Sequence, residues 1–257
     1  MPLSAQTLLK SLAATAENLL DFAIPPYCPL CRDVLAQPAG TAVCYCLACS
    51  QRLAEQTGDR CQRCSAVVGP WSSTQQGCVH CRGRTLRFRS AVCLGMYSED
   101  LRRALLSAKW SFSSVQIQSL ARLLAQRCEP QLRALQVDRI IPIPQHWRQR
   151  LWRHFNPAWL VAEQLAGVLK VPCDIHILRK SRRTRPQKRV SVTQRFENQK
   201  RSYSIRDAAV IRGERILIVD DVLTTGATCS EVAAVLLQAG AVECHVAVIA
   251  RVLDHSA

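Results

Sequence analysis

The chain has 257 residues, 48% of them hydrophobic, and its 34 basic and 19 acidic side chains give a net charge of +15. This length and hydrophobic content suit one large α/β domain plus a small module, and they exclude a disordered tail. The sequence has no apolar run of about eighteen residues, which argues against a membrane span. The high positive charge favours polyanionic partners such as nucleic acids or phosphorylated substrates.

The apolar pattern of residues 1–27 predicts a packed helix. Apolar residues recur there at helical spacing: Leu8, Leu9, Leu12, Leu19, Leu20 and Phe22. Lys10, Glu17 and Asp21 interrupt this face, and no basic start precedes an apolar core. We therefore expect a packed helix rather than a signal peptide, and a cytoplasmic protein.

Residues 28–88 predict a zinc module. Eight of the fourteen cysteines form four Cys-x-x-Cys pairs: Cys28/Cys31, Cys46/Cys49, Cys61/Cys64 and Cys78/Cys81. Two pairs supply the four thiolates of a structural Zn²⁺, so eight ligands suit two ions, and metal binding would provide folding energy that the short apolar runs cannot. A disulfide framework is the alternative, which the lack of a secretory signal disfavours.

The spacing leaves the pairing of these ligands open. Successive pairs could share an ion, or the first could join the third and the second the fourth, and Cys44 or His80 could replace a neighbouring cysteine. The other five cysteines lie in apolar or helical surroundings and are expected to be buried: Cys93, Cys128, Cys173, Cys229 and Cys244. Arginines scattered through the module suit either phosphate contacts or a plain solvated surface.

Residues 89–257 predict a second, larger domain. Alternation around Val92, Leu94 and Met96 indicates a strand, and the stretch from Leu101 to Gln126 is helical in pattern, with a break near residues 111–114. Residues 139–144 predict another strand, ending in a turn that its prolines make rigid. The basic groups that follow could hold an anionic leaving group or form a solvated turn: His146, Arg148, Arg150 and Arg153.

A basic segment follows between Arg179 and Arg206. Its only acid is Glu197, among the following basic residues: Arg179, Lys180, Arg182, Arg183, Arg185, Lys188, Arg189, Arg195, Lys200, Arg201 and Arg206. A solvated loop and a patch that binds nucleic acid are both compatible with this composition.

The run from residue 216 to 228 is the most informative part of the chain. Four consecutive apolar residues, Ile216 to Val219, predict a strand covered on both faces of a parallel sheet. Asp220 and Asp221 come at its carboxyl end, where open α/β sheets bind their ligands. Next comes a turn rich in hydroxyl groups, Thr224, Thr225, Gly226, Ala227 and Thr228, and then a helix capped near Gly240.

This order of elements predicts a sugar-phosphate site. Two adjacent carboxylates can accept hydrogen bonds from vicinal ribose hydroxyls or orient hydrated Mg²⁺, and the turn can donate to a phosphate. The plainer interpretation is a buried strand followed by a solvated pair of acids. Residues 216–228 resemble the phosphoribosyl-pyrophosphate (PRPP) motif of type I phosphoribosyltransferases. From about Cys28 to Arg251 the chain resembles the ComF/GntX family.

The resemblance implies a parallel sheet flanked by helices and preceded by a small zinc module. It further implies that PRPP binds with Mg²⁺, that Asp220 and Asp221 are the catalytic carboxylates, and that residues 224–228 bind the 5′-phosphate. Lys109, Pro144, Arg153 and Asn156 are implied as further substrate-binding residues. Type I phosphoribosyltransferases close a mobile loop over the pyrophosphate, and the basic segment is the candidate for that loop.

Several residues match or depart from family signatures. Arg153, Phe155 and Asn156 match Arg-Gly-Phe-Asn-Gln, but His154 and Pro157 replace its Gly and Gln. The Thr-x-x-Gln and Arg-x-x-Asn elements are matched by the following residues: Thr184, Gln187, Arg195 and Asn198. The resemblance implies a phosphoribosyltransferase-like protein linked to DNA uptake or utilisation. A non-catalytic protein on the same fold that binds nucleic acid, such as single-stranded DNA, or senses nucleotides is the alternative.

Overall fold

The structure is a computed structural model that describes residues 27–35, 44–54, 58–69, 77–110, 114–145, 155–181 and 192–253. The helix predicted for residues 1–27 lies outside the described residues, apart from Tyr27. None of the described helices is long and apolar enough to cross a membrane.

The larger part of the chain alternates strands and helices. In chain order the elements are α1 (Leu47–Leu53), β1 (Asp59–Arg60), β2 (Val67–Val68), β3 (Ser90–Met96), α2 (Glu99–Trp110), α3 (Val115–Ala134), β4 (Arg139–Pro142), α4 (Pro157–Leu169), β5 (Leu178–Lys180), α5 (Val192–Gln199), β6 (Tyr203–Ile205), a short 3₁₀ helix (Ala209–Ile211), β7 (Arg215–Leu223), α6 (Ala227–Gln238) and β8 (Glu243–Arg251). The strands predicted near residues 92, 139 and 216 and the two helices predicted between residues 101 and 126 are all present.

Four parallel strands form the central sheet in the order β3-β8-β7-β4. The register places Ile218 of β7 opposite Ile141 of β4 and Val246 of β8. Two smaller antiparallel pairs, β1-β2 and β5-β6, lie outside this sheet. The predicted parallel sheet is therefore confirmed.

Both faces of β7 are covered. Leu217 and Val219 pack with α3 and α4 in one hydrophobic core, while Ile216 and Ile218 pack with α6 in a second core on the opposite face. All four side chains are fully buried. This explains their unbroken apolar run, because a strand between two layers of helices has no solvent face.

The cysteine-rich segment contributes to both cores. Cys28 and Cys49 belong to the core that contains α3 and α4, whereas the cysteines at 61, 64, 78 and 81 belong to the core that contains α6. The module thus packs on both faces of the sheet, and the domain boundary at residue 88 stays a prediction.

Of the five cysteines expected to be buried, four are buried, but Cys173 is only half-buried. Cys173 forms an isolated parallel bridge with Ile140 of the edge strand β4, at the margin of the sheet. Sequence context could not show that this segment runs along a sheet edge.

Candidate functional site

The two adjacent aspartates lie at the carboxyl edge of the central sheet. β7 runs on through Asp220 and Asp221 to Leu223, so the acids fall within its last four residues rather than after its end. Beside it, β4 ends at Pro142 opposite Val219, and the N–H of Ile143 makes a further hydrogen bond to the Val219 carbonyl, 2.8 Å long. The aspartates therefore extend beyond β4 into the region where parallel sheets bind ligands.

The two carboxylates have different partners: a lysine for Asp221 and a backbone amide for Asp220. The Lys109 Nζ atom lies 2.6 Å from Asp221 Oδ2, and the Asp221 N–H donates to Asp220 Oδ1 over 2.9 Å. Burial, followed by repulsion from Asp221, raises the pKa of Asp220 to about 7, although that N–H, Lys109 and Lys180 oppose the rise. Near neutral pH Asp220 therefore sits close to its titration midpoint, and a cation or hydroxyl donor beside it would favour the charged form.

Lys180 and Tyr203 form a second wall of the site, which the sequence analysis did not single out. Lys180 ends β5, and its Nζ atom lies 5.4 Å from the centre of the Tyr203 ring on β6. Burial lowers the pKa of Lys180, against the charge of Asp220, while burial and then Asp220 raise the pKa of Tyr203. In the sequence, Lys180 is one of many cations in the basic segment. The pairing of β5 with β6 places it beside Tyr203, which distinguishes it from the others.

The turn after β7 has the local geometry of an anion site. Gly226 has a φ of +84° and directly precedes α6, a helix of twelve residues. Gly226 suits this positive φ, and a Cβ atom there would lie only 2.9 Å from Leu86 Cδ2, so any larger residue would force the Leu86 side chain to move. Thr225 is buried, and its Oγ1 accepts a 3.4 Å hydrogen bond from the Ala227 N–H. Thr224 and Thr228 flank it, each half-buried.

Asn156 connects the end of β4 to the start of α4. Its Oδ1 caps the helix by accepting from the Ala158 N–H at 3.1 Å, and its Nδ2 donates to the Ile143 carbonyl at 3.2 Å. Pro157 is the first residue of the helix. A backbone N–H at that position would have no carbonyl partner within the helix, so proline costs no hydrogen bond there. The replacement of the signature Gln by Pro157 is therefore compatible with the local backbone.

A cavity of about 290 Å³ lies beside this connection. Its lining consists of Pro142, Pro144, Gln145, Asn156, Trp159, Ile175, His176, Leu178, Arg179, Lys180 and Arg206. The structure thus brings Pro144 and Asn156 together with Lys180. Other predicted residues lie outside the described part of the chain: Arg153, His146, Arg148, Arg150, Thr184 and Gln187. Arg195 and Asn198 lie on α5.

The paired cysteines form two compact groups. In each group, Cys28/Cys31/Cys46/Cys49 and Cys61/Cys64/Cys78/Cys81, all four Sγ atoms lie within 4.8 Å of one another. We call these the first and second cysteine clusters. Successive pairs therefore come together, and the cross-braced pairing is wrong. All fourteen thiols are free, so the disulfide alternative is also wrong. Neither Cys44 nor His80 belongs to a cluster.

The donor geometry fits Zn²⁺. A tetrahedral ion with Zn–S bonds of roughly 2.3 Å holds its sulfurs about 3.8 Å apart. The Sγ–Sγ distance is 3.6 Å between Cys31 and Cys46, 3.6 Å between Cys64 and Cys78, and 3.8 Å between Cys61 and Cys81. Both clusters could therefore hold zinc.

The backbone around Cys28 favours a thiolate at that position, whereas burial raises the pKa of Cys49, Cys64 and Cys81. Arg32 and Ser65, which follow the second cysteine of their pairs, adopt φ values of +67° and +57° and turn the chain so that their N–H groups bond to Cys28 O and Cys61 O. Burial would raise the pKa of Cys28, but backbone N–H groups, led by that of Cys31, lower it to about 7. A thiolate supported in this way is the form that binds metal.

Comparison with known proteins gives matches over most of the chain. The phosphoribosyl transferase domain family matches residues 157–256. DNA utilization protein YhgH of Salmonella typhi is 30% identical over 234 residues, which cover 90% of this chain and 99% of that protein. Competence protein F of Haemophilus influenzae is 32% identical over 185 residues, which cover 68% of this chain and 79% of that protein.

Solved structures show only a distant likeness. The glutamine PRPP amidotransferase of B. subtilis, complexed with ADP and GMP, is 24% identical, with a TM-score of 0.35. The match covers 51% of this chain and 25% of that one, and a TM-score this low supports no inference about the chain.

Proposed function

Because this chain belongs to the ComF/GntX family and carries a phosphoribosyltransferase-like domain, we propose that it binds PRPP and Mg²⁺ at Asp220, Asp221 and residues 224–228. One observation carries the proposal. An acid pair, a lysine 2.6 Å from one acid, and a glycine turn that opens a helix all meet at the carboxyl edge of a parallel sheet.

In this proposal the aspartates and the turn hold opposite ends of the ribose phosphate. Asp220 and Asp221 accept hydrogen bonds from the two ribose hydroxyls, while the Lys109 ammonium forms a 2.6 Å ion pair with Asp221. The turn binds the 5′-phosphate through the hydroxyls of Thr224, Thr225 and Thr228, the backbone of Gly226 and Ala227, and the positive end of α6.

The acid pair also suits a divalent cation. Burial and then the charge of Asp221 raise the pKa of Asp220, and a cation beside the pair would oppose both effects. Mg²⁺ is commonly held by one or two carboxylates together with substrate phosphates. When bound, Mg²⁺ would neutralise charge on the pyrophosphate. The two cysteine clusters hold structural Zn²⁺ in the same proposal, which assumes a cytoplasmic protein whose thiols stay reduced.

Transfer of the ribosyl group would depend on electrostatics rather than on a nucleophilic side chain. Loss of pyrophosphate leaves positive charge on the ribose ring, which Asp220 and Asp221 stabilise, and negative charge on the leaving group. Lys180 would face the negative charge in this scheme, and the family resemblance implies Arg153 as a further substrate-binding residue. Pro144 and Asn156 shape the neighbouring cavity, with Asn156 acting through its bonds to Ile143 and Ala158.

Binding of PRPP is tested by isothermal titration of the zinc-loaded protein with PRPP and Mg²⁺. We expect saturable binding that the double variant Asp220→Asn, Asp221→Asn abolishes. The variant Asp59→Asn, which changes an exposed acid on β1, is the control and should bind like the native chain. Absence of binding by the native protein would reject the proposal.

Binding of single-stranded DNA is the second candidate, because the net charge is +15 and the relatives are named for DNA utilization and competence. Arg87 and Arg89 are exposed and alternate with the buried Leu86 and Phe88 beside the second cysteine cluster, although Arg89 also forms a 2.6 Å ion pair with Glu243. We expect DNA affinity to fall steeply with salt and to be unaffected by Asp220→Asn. A flat salt response would count against this candidate.

A further inference from the structure

One arginine joins the second cysteine cluster to the start of the turn at residues 224–228. Arg251, at the end of β8, is only 2% exposed. Its Nε donates to the Cys64 carbonyl at 2.9 Å, and its Nη1 donates to the Leu223 carbonyl at 3.1 Å and to the Thr224 carbonyl. A planar guanidinium can fix several carbonyls at once, whereas a lysine ammonium lacks this fork.

The segment that follows the same cluster holds the other side of the turn. Arg84 Nη1 donates to the Thr225 carbonyl at 3.4 Å. The Ser230 hydroxyl, in the first turns of α6, donates to the Thr85 carbonyl at 2.8 Å and accepts from the Arg87 N–H at 3.0 Å. These contacts fix the start of α6 against residues 84–87, only a few positions after Cys81.

Side-chain packing strengthens this connection. A Cβ atom at Gly226 would meet Leu86 Cδ2 at 2.9 Å and the Phe88 ring at 3.5 Å. Leu86 and Phe88 are buried in the same core as all four cysteines of the second cluster. The turn thus lies between Arg251 on one side and the segment after Cys81 on the other.

The first cysteine cluster has different neighbours. Arg52 Nη2 lies 3.3 Å from Cys49 Sγ while its Nε donates to Asp100 on α2, and the Cys44 N–H donates to Ser119 on α3. Those helices cover the other face of the sheet. The two clusters therefore provide an internal comparison. Within the described part of the chain, Arg251 and residues 84–88 link the second cluster to residues 223–226, whereas the contacts of the first cluster lead to α2 and α3.

We propose that zinc in the second cluster and an anion in the turn at residues 224–228 stabilise each other, with Arg251 as the positioning residue that connects them. The identity of the anion as the PRPP 5′-phosphate rests on the function proposed above. Such coupling is reciprocal: if zinc strengthens PRPP binding by some factor, PRPP must strengthen zinc binding by the same factor. We expect a factor of at least about five.

Transfer of zinc to a chromogenic chelator tests the coupling in the native protein. At equilibrium with the chelator, PRPP with Mg²⁺ should raise the zinc affinity of one of the two clusters at least about fivefold, which appears as a phase protected from transfer, and leave the other unchanged. Cys81→Ser should remove the protected phase, and Cys31→Ser should remove the unprotected one. Arg251→Lys should retain both ions but lose the protection, whereas Arg52→Lys, the matched change at the first cluster, should keep it.

Hydrogen exchange separates this inference from the proposed function, because it needs no ligand. Amides of residues 224–228 should exchange faster in Cys81→Ser and Arg251→Lys than in Cys31→Ser and Arg52→Lys. Equal exchange in all four variants, or PRPP protection of the first cluster, would overturn the coupling. If the amides respond as expected but the native protein binds no PRPP, the link between the second cluster and the turn stands, and the PRPP proposal fails.

Discussion

Replacing Gly226 with alanine should be much more damaging than the same change at two other glycines. Gly226 has a φ of +84° and a Cβ position 2.9 Å from Leu86, whereas Gly213 has a φ of +79° with nothing within 4 Å of its Cβ position. Gly167 lies on an exposed face of α4, also with nothing within 4 Å. The three variants therefore separate backbone strain from steric conflict.

The magnitudes follow from these differences. An alanine in the left-handed region costs about 1–2 kcal/mol, partly offset by about 0.4–1 kcal/mol because alanine restricts the unfolded chain. We expect Gly213→Ala to lower the free energy of unfolding by about 0.5–1 kcal/mol. Gly226→Ala adds an overpacking cost of about 1–3 kcal/mol against the buried Leu86. Gly167→Ala should stabilise the helix by about 0.5–1 kcal/mol.

Urea unfolding at a fixed zinc concentration measures the series, with midpoints compared at a common slope. Leu86→Ala combined with Gly226→Ala should recover part of the excess cost of Gly226→Ala, because the conflicting methyl group is gone. If Gly226→Ala costs no more than Gly213→Ala, then Leu86 does not pack against the turn as described, and our account of the site is wrong.

Three further predictions concern charge and metal. The pKa of Asp220 is raised from 3.8 to about 7, so its stabilising effect is complete below roughly pH 4 and is lost as pH rises through 7. Asp220→Asn should flatten this part of the stability profile, measured by urea midpoints, and an unchanged profile would contradict the raised pKa. Elemental analysis should find two zinc ions per chain in the native protein and one zinc ion in Cys49→Ser or Cys64→Ser. The control Cys244→Ser, which alters a buried cysteine outside both clusters, should keep two zinc ions. Two ions retained in Cys49→Ser or Cys64→Ser would contradict the ligand assignment. Lys109→Met, which breaks the 2.6 Å pair with Asp221, should weaken PRPP binding about tenfold in a titration, equivalent to about 1.4 kcal/mol. The control Lys170→Met, at an exposed position, should leave the affinity unchanged. Equal PRPP affinities of Lys109→Met and the native protein would show that Lys109 is not part of the site.

Local patterns in the sequence determined the elements that build the site. Four apolar residues at 216–219 predicted a strand buried on both faces, because no solvent face was available for polar alternation. Gly226 and Gly240 stand at the two ends of α6, where the backbone has positive φ values of +84° and +103° that glycine tolerates. The Cys-x-x-Cys spacing predicted metal ligands, since two thiolates two residues apart can reach one ion from a tight turn.

Contacts between distant segments were decided only by the tertiary structure. Three kinds of contact join residues that are 14 to 187 positions apart in the chain: the pairing of cysteine pairs into clusters, the approach of Lys180 to Asp220, and the bonds from Arg251 to Cys64 and Leu223. No local repeat in the sequence predicts contacts between such distant residues. They depend on which face of the sheet each segment packs against, and Arg251 could be recognised as a link between metal cluster and turn only once β8 was placed beside β7.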